Sequence, residues 1–170
     1  METYRKDDSM YGLDEKRQEV LNFVDTLSNE KATTKPDQHT WSVVEVLEHL
    51  YLMENVVIKQ IEHAINNGEV KEVGEKPIHK TTIRTQKVDA PETVQPKGHF
   101  QTIEDAKQGL EQSREATLFL IHNKDQELLQ HRTFPHPVFG DMNLEQWIEF
   151  IGWHELRHLE QMKEVHNQLA

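Results

Sequence analysis

The chain has no cysteine. That single absence removes disulfide scaffolds, thiolate zinc sites, iron–sulfur clusters and thiol nucleophiles. Long apolar runs are missing as well: no stretch reaches the roughly 18 residues that a membrane-spanning helix needs, so no membrane partner is expected. The opening residues, Met1-Glu-Thr-Tyr-Arg-Lys-Asp-Asp8, carry no apolar core. No secretory leader is read there, and a cytoplasmic location is expected. Basic residues are scarce, 19 Lys and Arg against 30 Asp and Glu, for a formal net charge of -11. Such a field repels a phosphate backbone, which argues against nucleic acid as a partner. What is present is a 170-residue chain, 35% hydrophobic and 29% charged, a length that suits one domain over residues 1–170. It also holds 11 histidines, with methionine as the one other soft ligand type.

Four segments carry helical periodicity. The first runs from about Leu13 to Ser28, with Leu13, Val20, Val24 and Leu27 on one face. The second follows Ser42-Val-Val-Glu45, the pattern of a capping box, and its apolar stripe is Val43, Leu47, Leu50, Val57, Ile61 and Ile65. Asn66-Asn67-Gly68 stops it. The third starts near Thr102 and carries Ile103, Ala106, Leu110, Leu120 or Ile121, and extends towards Leu128. The fourth follows Asn143, an N-cap with Gln146 three residues on, and its stripe is Leu144, Trp147, Ile148, Ile151, Met162, Val165 and Leu169.

Between the second and third helices, residues 68–100 hold three glycines and three prolines, Gly68, Gly74, Pro77, Pro91, Pro96 and Gly98. A connection this long inside a compact domain crosses over or covers something. Val70, Ile78, Ile83 and Val88 are expected to pack it down as a strap. No strand alternation is strong enough to build a sheet. The expected fold is all-α, a four-helix bundle.

Chemistry concentrates in helix 4, at His154-Glu-Leu-Arg-His158. Histidines four apart on a helix are neighbours, about 5–6 Å between Cβ atoms, and both imidazoles then reach one metal at about 2.0–2.1 Å. Both fall within the apolar stripe, and two buried imidazoles cost stability unless their nitrogens are bound. The same five residues match H-E-x-x-H of zinc metalloproteases. The extended protease form would need glycine at 161 and histidine at 164, where the chain has Gln161 and Glu164. His166 lies about 12 Å along the helix from His158, too far to share a metal with it. A di-iron carboxylate bundle needs two Glu-x-x-His motifs, and Glu155-x-x-His158 is one.

A third ligand must come from upstream. His39 precedes helix 2; His79, His99, His131 and His136 lie in connections; His63 and His122 lie near helix ends. His49 is firmly inside helix 2, on the flank of its stripe beside Val46 and Met53. Spacing alone leaves His49 open between ligand and exposed helical histidine.

Three motifs together carry a resemblance. They are Thr40-Trp-Ser-Val-Val-Glu-Val-Leu-Glu-His-Leu50, His136-Pro-Val-Phe-Gly-Asp-Met-Asn-Leu-Glu-Gln-Trp147 and His154-Glu-Leu-Arg-His-Leu-Glu-Gln161. In this order the chain resembles the DinB-like superfamily. The resemblance implies a four-helix bundle with a long crossover between helices 2 and 3. It also implies a three-histidine divalent metal site formed by His49, His154 and His158, holding zinc, nickel or iron. Some members are thiol S-transferases that use bacillithiol, mycothiol or glutathione, so a low-molecular-weight thiol co-substrate and a small-molecule electrophile are the expected partners, with a homodimer as the expected assembly. A metal-dependent hydrolase and a non-catalytic, metal-stabilised binding module are the alternatives. Glu155, on the inward stripe, is the candidate catalytic residue, and Glu54 holds a similar place in its own stripe. Each is otherwise a buried carboxylate paired with Arg157 or Arg114. A transferase needs basic or polar groups near the metal, and a binding module does not.

Overall fold

The structure, a computed structural model, describes residues 11–169. The ends of the 1–170 domain expected from sequence, residues 1–10 and 170, lie outside the described residues. Four long helices form the bundle: α1 (Leu13–Val24), α3 (Val43–Asn67), α4 (Ile103–Asn123) and α6 (Leu144–Gln168). Two short helices, α2 (Asn29–Thr33) and α5 (Gln126–His131), sit in connections. Helix 3 of the sequence reading therefore ends at Asn123, and Leu128 belongs to α5. Asp125 explains the break, because its side chain caps α5 by accepting from the Glu127 amide at 3.2 Å.

The starts of the two longest helices are set by reciprocal caps. Ser42 Oγ accepts from the Glu45 amide at 3.2 Å while Glu45 Oε1 accepts from the Ser42 amide at 3.0 Å. Asn143 and Gln146 repeat the arrangement at 2.8 and 2.9 Å. Each satisfies two otherwise orphan amides, and losing the capping side chain typically costs about 1 kcal/mol. At its other end α3 stops on Gly68, where a Cβ would lie 2.6 Å from the Ala64 carbonyl oxygen and 2.9 Å from that of Thr133. Only glycine lets the neighbouring strand come that close.

That strand corrects the expectation of no sheet. β1 (Glu69–Val70), β2 (Arg132–His136) and β3 (Gly140–Asn143) form a small antiparallel sheet in the order β1-β2-β3, with Phe134 opposite Met142 and His136 opposite Gly140. Strands of two to five residues are too short for a period-2 pattern to accumulate. The hairpin braces α6: Trp147 donates its indole N–H to the Phe134 carbonyl at 3.1 Å, and the two rings stack 4.2 Å apart.

The core comes in two apolar clusters. One gathers Leu13, Val57, Ile61, Leu120, Met142 and Ile148; the other gathers Val20, Val24, Leu47, Leu110, Leu159 and Met162. On each long helix the chain passes from one cluster to the other through a charged residue: Arg17 on α1, Glu54 on α3, Arg114 on α4 and Glu155 on α6. All four are buried and form one polar layer across the bundle.

The crossover over residues 69–100 does lie against the bundle, but through fewer apolar anchors than expected. Ile78 and Val94 are each 2% exposed, whereas Val70, Ile83 and Val88 are 62%, 52% and 73% exposed. Polar ties replace them. Arg157 donates to the carbonyls of Thr81, Ile83 and Gln86, at 2.7–2.9 Å, and Gln146 donates to the Gly74 carbonyl at 2.9 Å.

Candidate metal centre

The triad named from sequence comes together. His49, from the second turn of α3, meets His154 and His158, one turn apart on α6, and one ring nitrogen from each lies within 4.8 Å of the others. His158 Nε2 is 3.0 Å from His154 Nε2 and 3.2 Å from His49 Nε2. His49 and His154 are buried, and His158 is partly buried. Trp41 and Phe150 flank the group, with ring centres 5.3 Å from His49 and 5.4 Å from His154.

Hydrogen bonds at the far side of two rings assign their tautomers. His49 Nδ1 lies 2.7 Å from the Val94 carbonyl and His158 Nδ1 lies 2.6 Å from Gln161 Oε1. Both partners are acceptors, so each Nδ1 carries the proton and each Nε2 presents a lone pair. Two lone pairs then face each other at 3.2 Å, an arrangement that a proton or a cation between them must relieve. Protonation is opposed by burial. Desolvation lowers His49, although the Val94 carbonyl pulls the other way. Burial and the neighbouring His158 and His49 hold His154 well below the ordinary histidine range, and burial together with His49 brings His158 down to about 3. A divalent cation fits what remains. Nitrogens each about 2.0–2.1 Å from one ion stand roughly 3 Å apart, and neutral imidazoles suit zinc, nickel or iron.

Glu155 lies in the polar layer. Its Oε1 accepts from Arg17 Nε at 2.8 Å, from an Arg17 terminal nitrogen at 2.5 Å and from Arg114 at 2.9 Å. Its Oε2 is buried and has no hydrogen-bond partner among the described residues. Glu54 accepts from Arg114 at 2.9 Å, Arg17 at 3.1 Å, Thr117 at 2.8 Å and Ser113 at 3.2 Å. Burial alone would raise the Glu54 carboxyl, but Arg114 and Arg17 outweigh it and hold the group below its usual range. The pairing of both glutamates with Arg114 agrees with the sequence reading. Arg157 does not serve: its guanidinium ties down the crossover instead.

Four participants lie outside the candidate residues that the sequence singles out. Arg17 was visible in principle, since it sits among Leu13, Val20 and Val24 on a buried face, where a charge demands a partner. Gln161 lies three residues past His158 on the same helix, within reach by spacing alone. The Val94 carbonyl and Glu48, whose carboxylate accepts from the Lys97 and Phe100 amides, carry no such signal, because only the crossover's path brings residues 94–100 to α3. Arg157 and Arg84 add positive charge near the triad, and both oppose protonation of His158. His136, half-buried among Trp147, Phe139 and Phe150, is lowered by burial to about 4.

No helix among the described residues is long and apolar enough to cross a membrane. The fold is shared with two solved structures. TT2238, a four-helix bundle protein, matches with a TM-score of 0.61 at 18% identity, over 93% of this chain and 98% of that one. YfiT from Bacillus subtilis, described as a probable metal-dependent hydrolase with an unusual four-helix bundle topology, matches with a TM-score of 0.59 at 16% identity, over 97% and 88% of the two chains. In sequence, the chain is 36% identical over 155 residues to the uncharacterized protein YuaE of Bacillus subtilis (strain 168), covering 91% of this chain and 95% of YuaE. The family model of the DinB superfamily matches residues 12–162, which span α1, the crossover and all three histidines of the triad, and the chain belongs to that superfamily.

Proposed function

We propose that the chain is a metal-dependent enzyme that binds one divalent transition metal through His49, His154 and His158 and transfers a low-molecular-weight thiol to a small electrophile. The observation that carries this reading is the convergence of three Nε2 atoms, two of them with the tautomer set by Val94 and Gln161. A divalent ion held by three imidazoles supplies a Lewis acid with coordination positions to spare, where a thiol loses its proton or a water is acidified.

The chain's own residues favour the thiol. Both candidate glutamates are engaged by arginines, Glu155 through Oε1 and Glu54 through both oxygens, and belong to the polar layer. Arg157, tied to the crossover carbonyls, and Arg84, paired with Glu164 at 3.1 Å, still place positive charge near the triad, which suits a transferase and which a bare scaffold does not call for. A hydrolase is the second reading, and the fold likeness to YfiT, with its described activity, supports it.

Cobalt substitution separates the classes. A transferase shows strong near-ultraviolet charge-transfer absorption when thiol is added, and conjugates a model electrophile at a rate lost in His158→Ala. With no cysteine in the chain, no protein thiolate mimics that signal. A spectrum indifferent to several thiols, with metal-dependent ester or amide cleavage, selects the hydrolase. Indifference with no turnover of either kind overturns the enzyme reading.

A further inference from the structure

Two consecutive residues of α3 grip the end of the crossover. His49 holds the Val94 carbonyl through Nδ1. Glu48, 1% exposed, accepts from the Lys97 amide at 2.5 Å through Oε2 and from the Phe100 amide at 3.3 Å through Oε1. Little else secures the segment leading up to Phe100: from Pro91 to His99 only Val94 is buried, and most of the rest is exposed. Burying a carboxylate is costly unless its oxygens are satisfied, and charge-assisted bonds to backbone amides are about twice as strong as neutral ones. Besides the buried Val94 side chain and the Phe100 ring against Tyr51, 5.2 Å between centres, Glu48 is therefore the main polar anchor of the segment.

We propose that Glu48 is a positioning residue for the metal ligand beside it. By anchoring Lys97 and Phe100 it keeps the Val94 carbonyl on His49 Nδ1, which holds the ring in the tautomer and orientation that turn Nε2 towards His154 and His158. The inference rests on the metal reading above. A carbonyl or carboxylate behind a ligating histidine typically accounts for 10–100-fold in metal affinity; here that partner comes from a crossover that must itself be held. Coupling of this kind is reciprocal. Metal at the triad fixes the His49 ring, the fixed ring retains Val94, and residues 94–100 open less often.

Residue-resolved hydrogen exchange on the full chain, with zinc as the probe, tests this directly. In the wild type, zinc is expected to slow exchange of the Lys97 and Phe100 amides about tenfold or more, while amides of α5, at the other end of α4, change little. Glu48→Gln is expected to weaken zinc, measured by chelator competition, by about 10–100-fold and to remove the zinc-dependent slowing, with helical content unchanged. Zinc bound equally well by Glu48→Gln, or wild-type amides at 97 and 100 that ignore bound zinc, overturns the proposal. The wild-type comparison stands even if the variant folds poorly. If the wild type takes up no zinc through the triad, the metal reading falls and this proposal with it; zinc uptake with unresponsive amides removes this proposal alone.

Discussion

His49 Nε2 and His158 Nε2 stand 3.2 Å apart although 109 positions separate the two residues in the chain. The other nitrogen of each ring is already committed to an oxygen. Neither ring can relieve the contact by donating to the other without giving up that bond. This makes the triad a site for a positive charge, and three converging ring nitrogens suit a metal cation better than a proton.

One divalent metal per chain is the first expected outcome. Metal analysis after chelation and reloading with zinc should give one equivalent in the wild type. The double variant His154→Ala, His158→Ala should give none, with far-ultraviolet circular dichroism unchanged. A full equivalent in the double variant would sink the assignment.

The metal-free protein should lose stability on mild acidification. Each lowered histidine is neutral in the native state at pH values where the unfolded chain, with its ordinary pKa of about 6.5, takes up a proton. Above that pH neither state binds the proton and nothing is gained or lost. Below it, stability falls by up to about 1.4 kcal/mol per pH unit per histidine until the native pKa is reached. For His158, lowered to about 3, the loss by pH 5 approaches about 2 kcal/mol. The contribution of Glu54 lies in a separate window, below its unfolded carboxyl range. Urea midpoints at pH 7.5, 6 and 5 should show a plateau and then a fall, shallower in His158→Gln. A profile flat from 7.5 to 5 would show that the rings titrate normally.

Removing one arginine from the polar layer should be severe. Arg114→Leu leaves Glu54 and Glu155 sharing Arg17 in a buried setting, and breaking a buried pair by deleting one partner typically costs about 3–5 kcal/mol. Denaturant unfolding at pH 7.5 measures it. A loss under about 1 kcal/mol would mean that water reaches the layer and screens it.

Gly109→Ala is a change that helix propensity would favour by about 1 kcal/mol and that packing should reverse. A Cβ at 109 would lie 2.3 Å from Cζ and 2.7 Å from Cε1 of Phe100. The ring must shift, and its backbone amide is one of the two bound by Glu48. Net destabilisation of about 1–3 kcal/mol is expected, together with faster exchange at Phe100. A more stable Gly109→Ala protein would show that the ring is freely displaced.

The four long helices were legible because 12 to 25 residues give a 3.6-residue period room to show, and because Ser42-x-x-Glu45 and Asn143-x-x-Gln146 announce two starts. The His154–His158 pair was legible for the same reason, since one turn of helix fixes their separation wherever the helix packs. Helix 3 was blurred at its end because Asp125 restarts a helix within three residues of Asn123.

Local spacing therefore determined the helices, their caps and two-thirds of the triad, all of which depend on contacts within a few residues. Tertiary structure brought His49, which spacing left open and the family resemblance named, onto the pair as its third member, and it alone decided that Arg17 and not Arg157 completes the glutamate layer. It also decided that Val94, Lys97 and Phe100 lie against Glu48 and His49. Those pairings join residues 37 to 138 positions apart, and no periodicity encodes them. They follow from the burial of four apolar stripes at once, which sets each helix's rotation and so selects the polar side chains that meet.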